Sequence, residues 1–293
     1  MGENTKIEWT ATTLPDGTVL PGFTFNSWTG CTKVSPACDN CYAESWAKRS
    51  GIVQWGNHPR RRTSESYWKQ PLKWNRIAER DGIRRKVFCC SLADVFDNQV
   101  PEEWRHDLFA LIDSTPWLDW LLLTKRPQNI AKLMPRHIVA TWDIGIRDWA
   151  DTEMMRPNVW LGTTVENQEE ADRRIPHLIR VPAAVHFLSC EPLLGDIDLE
   201  YPKGLYPNGP PMCCSGFDCG CMGQPIEPPI IWYLKWVIVG GESGPNRRHM
   251  DLAWARGIRD QCAAAGVAFF GKQLDKVNPL PADLMVRQMP EPH

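Results

Sequence analysis

Short apolar runs recur along the middle and end of the chain, and each is followed by a polar or glycine-containing signature and then by a charged stretch compatible with a helix. The runs cover residues 86–90, 120–123, 159–161, 185–188, 237–239 and 267–270. Apolar runs without polar alternation are typical of parallel strands that are buried on both faces. Helices are predicted between them, notably over 101–112, which opens with proline and two glutamates, and over 251–265, which ends at Gly266.

Six such units and one earlier strand, over 23–28, predict an α/β fold built as a partial barrel of six to seven parallel strands. A doubly wound open sheet is the alternative. Residues 1–30 carry a Pro15-Asp16-Gly17 turn and are predicted to form an N-terminal β-hairpin extension. Residues 201–230 are rich in Cys, Pro and Gly and interrupt the pattern as an insert. The whole chain, 1–293, is therefore interpreted as one barrel domain with these two additions.

The loops after the predicted strands each carry a charged residue at nearly the same offset. In parallel α/β folds, such loops meet at the carboxyl edge of the sheet, where sites are built. A shared polar pocket is therefore predicted from Asp94, Lys125, Glu166, Glu191, Glu242 and Lys272.

The amino-acid composition of the chain narrows the classes of protein to which it can belong. Lys and Arg number 33 against 35 Asp and Glu, so a net charge of −2 excludes a uniformly basic nucleic-acid coat. No apolar run approaches the roughly 18 residues that a membrane span needs, and the polar N-terminus lacks a secretory signal. The expected location is the cytoplasm, where thiols stay reduced, so the 11 cysteines indicate metal binding or catalysis more than disulfides.

Cys31, Cys38 and Cys41 form a C-x6-C-x2-C pattern on a segment that Pro36 and Asn40 mark as a loop. Three thiolates are one short of a closed zinc site, and no histidine lies nearby. Three cysteines on one loop suit an iron–sulfur cluster whose fourth iron stays open to another ligand. A structural zinc site completed by a distant Cys or His is the alternative.

Several stretches of the sequence, including those that contain these cysteines, resemble the phage-type three-cysteine-motif radical S-adenosylmethionine (radical SAM) family. The resemblance spans roughly residues 5–275, and its first cysteine gap is wider than the C-x3-C-x2-C pattern of the superfamily at large. The stretches that carry it are 28–36 (WTGCTKVSP), 41–44 (CYAE), 91–96 (SLADVF), 123–127 (LTKRP), 160–167 (WLGTTVEN), 187–194 (FLSCEPLL) and 237–244 (VIVGGESG).

The resemblance implies a partial (βα)6 radical SAM barrel with a 4Fe-4S cluster on Cys31, Cys38 and Cys41. It also implies S-adenosylmethionine on the open iron and a 5′-deoxyadenosyl radical that abstracts hydrogen from the substrate. Such a cofactor supplies the difficult chemistry, while the protein supplies orientation and a dry cavity. An electron donor such as flavodoxin or ferredoxin is the expected partner.

The strand ends are then assigned to S-adenosylmethionine. Tyr42 would lie against the adenine, with a core role as the alternative. Ser91 and Asp94 would accept the methionine ammonium, and Lys125 would pair with the methionine carboxylate. Four residues are expected to hold the ribose hydroxyls: Thr163, Thr164, Glu166 and Asn167. Ser189, on the next strand, is also expected to bind the cofactor. For each of these residues a plain loop or helix-cap role remains an alternative.

Three later residues are predicted to be catalytic and to act on the substrate: Glu191, Glu242 and Lys272. The strands of Glu191 and Glu242 lie farther from the cysteine loop. Four more cysteines, within the Gly-rich part of the insert, form a second candidate site for zinc or an auxiliary iron–sulfur cluster, with free thiols as the alternative: Cys213, Cys214, Cys219 and Cys221. The cysteines in apolar runs or a helix are expected in the core: Cys89, Cys90, Cys190 and Cys262.

Basic residues occur in clusters, one of which has aromatic neighbours at Trp55, Tyr67, Trp68 and Trp74. Cations for phosphates and aromatic rings for stacking are typical of DNA or RNA handling, although solvated helix faces and core tryptophans give the same pattern. A base within a duplex would have to flip into the barrel mouth. The residues assigned to substrate or DNA are Arg60, Arg61, Arg62, Arg126, Arg247 and Arg248.

Three functions follow from these observations. The first is a radical SAM enzyme that acts on a modified nucleobase in phage DNA, such as an isomerase that rearranges a glycyl-modified thymine after hydrogen abstraction from the glycyl carbon. The second is lyase-type repair of a DNA photoproduct by the same chemistry. The third is a zinc-stabilised nucleic-acid-binding protein without catalysis.

Overall fold

A computed structural model describes residues 5–135, 156–201, 229–244, 246–275 and 277–290. Its strands are β1 (Thr12–Thr13), β2 (Val19–Leu20), β3 (Phe23–Phe25), β4 (Trp28–Thr29), β5 (Arg61–Arg62), β6 (Arg85–Cys89), β7 (Leu118–Thr124), β8 (Val159–Thr164), β9 (Val185–Cys190), β10 (Trp236–Gly240) and β11 (Ala268–Gln273). Its α-helices are α1 (Tyr42–Ser50), α2 (Glu65–Trp68), α3 (Gln70–Asp81), α4 (Glu102–Asp113), α5 (Ile130–Leu133), α6 (Gln168–Ile179) and α7 (Leu252–Ala265).

Seven of the strands form one parallel sheet in the order β3-β6-β7-β8-β9-β10-β11. The order follows the chain without reversal, so the sheet is wound in one direction and curls into a half-barrel. A doubly wound sheet has a reversal point, and none occurs among the described strands. The prediction of an α/β partial barrel is therefore confirmed, and the doubly wound alternative is wrong.

The strands separate two apolar cores, and this explains their continuous apolar runs. Side chains alternate along each strand, so Trp120 and Leu161 pack outward beneath the helices while Leu121 and Trp160 point into the barrel. On β8, β9 and β11 the inner face is apolar toward the start of the strand and polar toward its carboxyl end, as Trp160 and Thr164 show on β8. This gradient creates space for a polar cavity at one end only.

The N-terminal segment fills the base of the half-barrel. Trp9, in a short 3-10 helix, packs edge-to-face on Phe88 of β6 at 4.7 Å between ring centroids and on Trp236 of β10 at 6.1 Å. The predicted N-terminal hairpin is confirmed, because β1 and β2 pair antiparallel around Gly17. The strand predicted over 23–28 is wrong in extent, because β3 ends at Phe25 and Trp28 belongs to β4, which pairs with β5.

The Cys-rich insert, with Cys213, Cys214, Cys219 and Cys221, lies outside the described residues. The four cysteines predicted for the core are buried as expected: Cys89, Cys90, Cys190 and Cys262. In the described ranges, no helix is both long and apolar enough to cross a membrane.

Gly162 allows the inner layer of the barrel to close. A Cβ at this position would lie 2.3 Å from the ring of Phe187 on the neighbouring strand. Gly162→Ala is therefore expected to lower the free energy of unfolding by about 1–3 kcal/mol through overpacking, as measured by urea denaturation. Gly257→Ala in α7, where the added Cβ meets only ordinary contacts, should instead raise it by roughly 0.5–1 kcal/mol. Equal effects of the two substitutions would contradict this account of the inner layer.

Candidate active site

A cavity of about 730 Å³ opens at the carboxyl ends of the parallel strands. Five of the six charged loop residues predicted to share a pocket line it, and Glu166 does not. All three cysteines of the C-x6-C-x2-C pattern line it as well. The predicted site residues that the structure brings together here are Cys31, Cys38, Cys41, Tyr42, Ser91, Asp94, Lys125, Arg126, Thr164, Ser189, Glu191, Glu242 and Lys272.

Three residues predicted to hold a ribose do not line this cavity. Thr163 points to the outer face of β8, where its hydroxyl donates to the carbonyl of Thr124 at 2.9 Å. Asn167 caps α6 by accepting from the backbone N–H of Glu170 at 3.0 Å. Glu166 is completely buried behind the cysteine loop. Of the four residues predicted for the ribose, only Thr164 faces the cavity, because side chains alternate along the strand.

The cysteine loop, residues 31–41, follows β4 and leads directly into α1. A 3-10 turn over Pro36–Cys38 folds it back, and all three thiols are free. Across the described residues, no group of three or more His, Cys, Asp or Glu side chains could hold a metal ion. All three thiols line the cavity wall.

Arg126 joins the cysteine loop to the ends of β6 and β7. Its guanidinium donates to Cys31 Sγ at 3.5 Å, to the carbonyl of Thr32 at 2.8 Å and to Asp94 at 3.0 Å. The side chain is buried, so it is not available to a DNA phosphate as predicted. Burial raises the pKa of Cys31 to about 11, and Asp94 adds to this shift while Arg126 opposes it. The Cys31 thiol is therefore protonated at neutral pH in the metal-free protein.

Glu166 anchors the middle of the cysteine loop. One carboxylate oxygen accepts from the backbone N–H of Ala37 at 3.1 Å, and the other accepts from Arg174 at 2.8 Å. Both charged side chains are almost fully buried. Glu166 therefore holds the loop rather than a ribose hydroxyl, and this corrects its predicted role.

Glu242 and Arg248 anchor the far side of the same loop. Glu242 accepts from the Asn40 side chain at 2.9 Å and forms an ion pair with Arg248. Arg248 also donates to the carbonyl of Pro36 at 2.8 Å. Both residues were assigned to substrate, but in this structure their polar groups bind the loop.

Asp94 is occupied by the chain itself. Its two oxygens accept from the backbone of Phe96 at 2.9 Å, from the Thr124 hydroxyl at 2.7 Å, from the backbone of Lys125 at 3.0 Å and from Arg126. This leaves little accepting capacity for a methionine ammonium. Lys125 differs, because its ammonium lines the cavity and forms no ion pair with any described residue.

Tyr42, the first residue of α1, closes the site beside the last cysteine. Its hydroxyl donates to the carbonyl of Ser91 at 2.7 Å, and the residue is 56% exposed and lines the cavity. Desolvation of the hydroxyl raises the pKa of the phenol above its ordinary value, and Cys41 and Glu191 add to the shift. The core alternative for Tyr42 is therefore wrong.

Glu191 and Lys272 form an ion pair at 2.5 Å between the loop after β9 and the carboxyl end of β11. Both side chains remain partly exposed and line the cavity. They are the predicted substrate residues that the structure leaves facing the cavity. Ser189 and Thr164 lie on the inner faces of the adjoining strands, where they add hydroxyl groups.

The arginines predicted for DNA are mostly engaged within the protein. Arg60 is buried against Asp97 at 2.6 Å, which moves it from the predicted surface to the interior. Arg62 stacks over Trp68 and pairs with Asp107, while Arg247 pairs with Asp275. Arg61 is exposed, and its guanidinium donates to the carbonyl of Ile52.

The aromatic residues predicted beside these arginines divide between the core and the cavity. Trp68 and Trp74 are buried in the core, and Tyr67 stacks on Phe25. Trp55 alone of this group lines the cavity.

Sequence reasoning missed part of the cavity wall. Trp46, Arg49 and Lys33 line it, and the first two follow Tyr42 by four and seven residues along α1. That helical spacing was the available signal. Cys90 is buried as predicted, but it also lines the cavity, and its backbone adopts φ of 62°, a left-handed conformation that is uncommon outside glycine.

The Glu242 anchor predicts a dependence of stability on pH. Burial alone would raise the pKa of Glu242, but hydrogen bonds from Arg248 and Asn40 outweigh burial and lower it. The stability contributed by this carboxylate is present above the pKa of the unfolded chain and is lost as the pH falls through the folded-state pKa. Glu242→Gln should therefore cost about 1 to 2 kcal/mol at neutral pH and flatten the loss of stability from about pH 5 to about pH 3.

The check is urea denaturation across that pH range, with Glu79→Gln on the exposed face of α3 as the control. An unchanged acid slope in Glu242→Gln would contradict the anchor.

The comparisons with known proteins assign a family without a function. Residues 4–287 match the family described as "Protein of unknown function (DUF5131)". The chain belongs to this family. No curated protein and no solved structure matches it.

Proposed function

We propose that the protein is a radical SAM enzyme that acts on a modified nucleobase in DNA. The observation that carries the proposal is the placement of Cys31, Cys38 and Cys41 around a cavity at the carboxyl ends of a parallel half-barrel. When bound, a 4Fe-4S cluster and S-adenosylmethionine would supply a 5′-deoxyadenosyl radical for hydrogen abstraction. The chain's own residues then have to hold these groups, position the substrate and exclude water.

The cysteine loop fits a cluster better than a single zinc ion. A closed zinc site takes four ligands, and among the described residues the cavity is lined by the three thiols of this loop and by no histidine. A cluster binds its three thiolates on three separate irons, so its ligands stay apart and one iron remains open. Arg126 would donate a hydrogen bond to the Cys31 sulfur, and hydrogen bonds to sulfur tune the potential of a cluster.

The side chains left free in the cavity fit the polar parts of S-adenosylmethionine. Lys125, which pairs with no carboxylate among the described residues, presents its ammonium for the methionine carboxylate. Tyr42 presents its ring beside the cysteine loop for the adenine. Thr164 and Ser189 present hydroxyl groups on the inner face of the barrel for the ribose. Asp94 would act by holding Arg126 and the backbone of Lys125 in place.

The charge around the cavity favours an anionic substrate such as DNA. Although the whole chain has a net charge of −2, cations outnumber carboxylates among the described residues that line the cavity. The three carboxylates, Asp94, Glu191 and Glu242, are each paired with a cation. The lining cations are Lys6, Lys33, Arg49, Lys125, Arg126 and Lys272.

Glu191 and Lys272 are proposed to act on the substrate. Their ion pair faces the cavity from the loop after β9 and the carboxyl end of β11. A carboxylate and an ammonium at this position would bind the polar groups of an amino-acid-decorated base, such as a glycyl-modified thymine. The product of an isomerase would have the same mass as its substrate and a different connectivity.

The substrate assignment is tested on the nucleosides of DNA digested after incubation with the reconstituted protein, S-adenosylmethionine and a flavodoxin or ferredoxin donor. Isomerisation predicts a modified nucleoside of unchanged mass and changed retention and fragmentation in mass spectrometry. Recovery of normal thymidines from ultraviolet-irradiated DNA would instead support photoproduct repair. Unaltered nucleosides in every DNA, together with zinc and no iron in the protein, would support the non-catalytic binding protein.

A further inference from the structure

Helix α1 presents one continuous face to the cavity. Tyr42, Trp46 and Arg49 are spaced by four and three residues, which places them on the same side of the helix, and all three line the cavity. Ala43 and Ala47 are buried against the protein instead. Because α1 begins directly after Cys41, this face leads outward from the cysteine loop over about 10 Å.

The outer part of this face is free to bind a ligand. Trp46 and Trp55 are half-buried and make no ring contact with another described aromatic residue. Arg49 is exposed and forms no ion pair or side-chain hydrogen bond with any described residue. The one carboxylate on this helix, Glu44, is neutralised by Lys33 at 3.3 Å and by Lys48 at 2.9 Å.

We infer that Trp46, Trp55 and Arg49, here called the tryptophan rim, bind a single-stranded stretch of DNA beside the nucleotide that enters the cavity. Indole faces stack on any base, and a free guanidinium pairs with a backbone phosphate. The rim therefore replaces the cluster at Arg60 to Arg62, whose cations are largely engaged within the protein, as the strand-binding surface.

A single strand fits this arrangement better than a duplex. The rim borders the mouth of a cavity that also holds the cysteine loop, so a base has to leave its stack to reach the interior. Unstacked bases beside the extruded nucleotide expose the faces that Trp46 and Trp55 would cover. This inference rests on the proposed action on DNA, and it names the residues that hold the strand.

The test measures binding of a fluorescein-labelled oligothymidylate to the full chain as purified, by fluorescence anisotropy. Trp46→Leu keeps apolar bulk but removes the stacking face, and it should weaken binding about tenfold, whereas Trp46→Phe should retain most of the affinity. Arg49→Gln should weaken binding and reduce the slope of log affinity against log salt by about one. Arg76→Gln, at an exposed arginine of α3 that does not line the cavity, and Trp232→Leu, at an exposed tryptophan away from the cavity, should bind as the unmodified protein does.

The inference is overturned if Trp46→Leu and Arg49→Gln bind as Arg76→Gln does, or if Trp46→Phe is as weak as Trp46→Leu. Tighter binding to the matched duplex would also overturn it. Equal competition by thymidine monophosphate would indicate a mononucleotide site, and equal competition by polyglutamate would indicate an acidic protein partner. Because binding is measured without S-adenosylmethionine or reduction, its failure is distinguishable from failure of the proposed radical chemistry.

Discussion

Replacing Cys38 with alanine is expected to abolish the iron–sulfur cluster. Reconstitution of the unmodified protein with iron and sulfide should give about four irons per chain and the visible absorbance of a 4Fe-4S cluster. Cys38 lines the cavity between Cys31 and Cys41, and two thiolates do not replace three on three separate irons. The measurement is iron content together with absorbance after anaerobic reconstitution and desalting.

Cys262→Ala is the matched control, because Cys262 is a free and fully buried cysteine in α7 that does not line the cavity. It should retain iron at the level of the unmodified protein. Thermal unfolding of both apo variants shows whether they remain folded. Equal iron and absorbance in Cys38→Ala and Cys262→Ala would show that the C-x6-C-x2-C loop is not the cluster site.

Arg126→Met is expected to lower the free energy of unfolding by about 3–5 kcal/mol. The substitution leaves the buried Asp94 carboxylate without its guanidinium partner, and it frees the carbonyl of Thr32 at the start of the cysteine loop. Removing one partner of a buried ion pair is costly because the other charge stays buried without compensation. Urea denaturation of the apo protein measures the effect.

Two variants locate the cause of that loss. Arg256→Met breaks an ion pair with Asp283 whose side chains are 42% and 44% exposed, so water screens the charges and the free energy of unfolding should change far less than in Arg126→Met. Adding Asp94→Asn to Arg126→Met should recover part of the loss, because the uncompensated charge is then gone. A loss in Arg126→Met no larger than in Arg256→Met would contradict the anchoring role of Arg126.

The barrel could be predicted from the sequence because both faces of its strands are buried. Runs such as 120–123 and 185–188 lack polar alternation, and the structure places both within strands of the parallel sheet. The ends of the elements were less accurate. The strand predicted over 23–28 divides after Phe25, because Trp28 pairs with Arg62 in a separate antiparallel ribbon that no local pattern indicates.

The residues of the cavity wall could be predicted only where the direction of a parallel strand places them at the carboxyl edge of the sheet. Lys125 and Glu191 directly follow parallel strands and Lys272 ends one, and these carboxyl ends share one edge that faces the cavity. The functions of Glu166, Glu242 and Arg126 could not be predicted, because their partners Ala37, Asn40 and Cys31 lie far away in sequence.

The exposure of the basic clusters was predicted wrongly for the same reason, because their partners are also distant in sequence. Arg60 and Arg62 look like an exposed patch in sequence, but Asp97 and Asp107 reach them from other elements. Arg49 has no such partner among the described residues, and a single arginine gave no cluster to notice. The signal that remained was the helical spacing of Tyr42, Trp46 and Arg49.

Several charged residues of the site contact and anchor a single loop, the cysteine loop. Arg126 and Glu166 come from the ends of β7 and β8, and Glu242 follows β10, so three separate strand ends hold residues 31–41 in place. Such anchoring restrains a loop that has to keep three thiols around a cavity. Lys125 and the Glu191–Lys272 pair are then left to face whatever enters.

The central claim is radical chemistry at the cysteine loop, and formation of 5′-deoxyadenosine tests it most directly. The anaerobically reconstituted protein is mixed with S-adenosylmethionine and dithionite, with and without DNA, and the product is quantified by liquid chromatography and mass spectrometry. We predict 5′-deoxyadenosine from the unmodified protein and from Cys262→Ala, and none from Cys38→Ala. Absence of 5′-deoxyadenosine from an unmodified protein that carries its full iron content, under every DNA condition, would contradict the account.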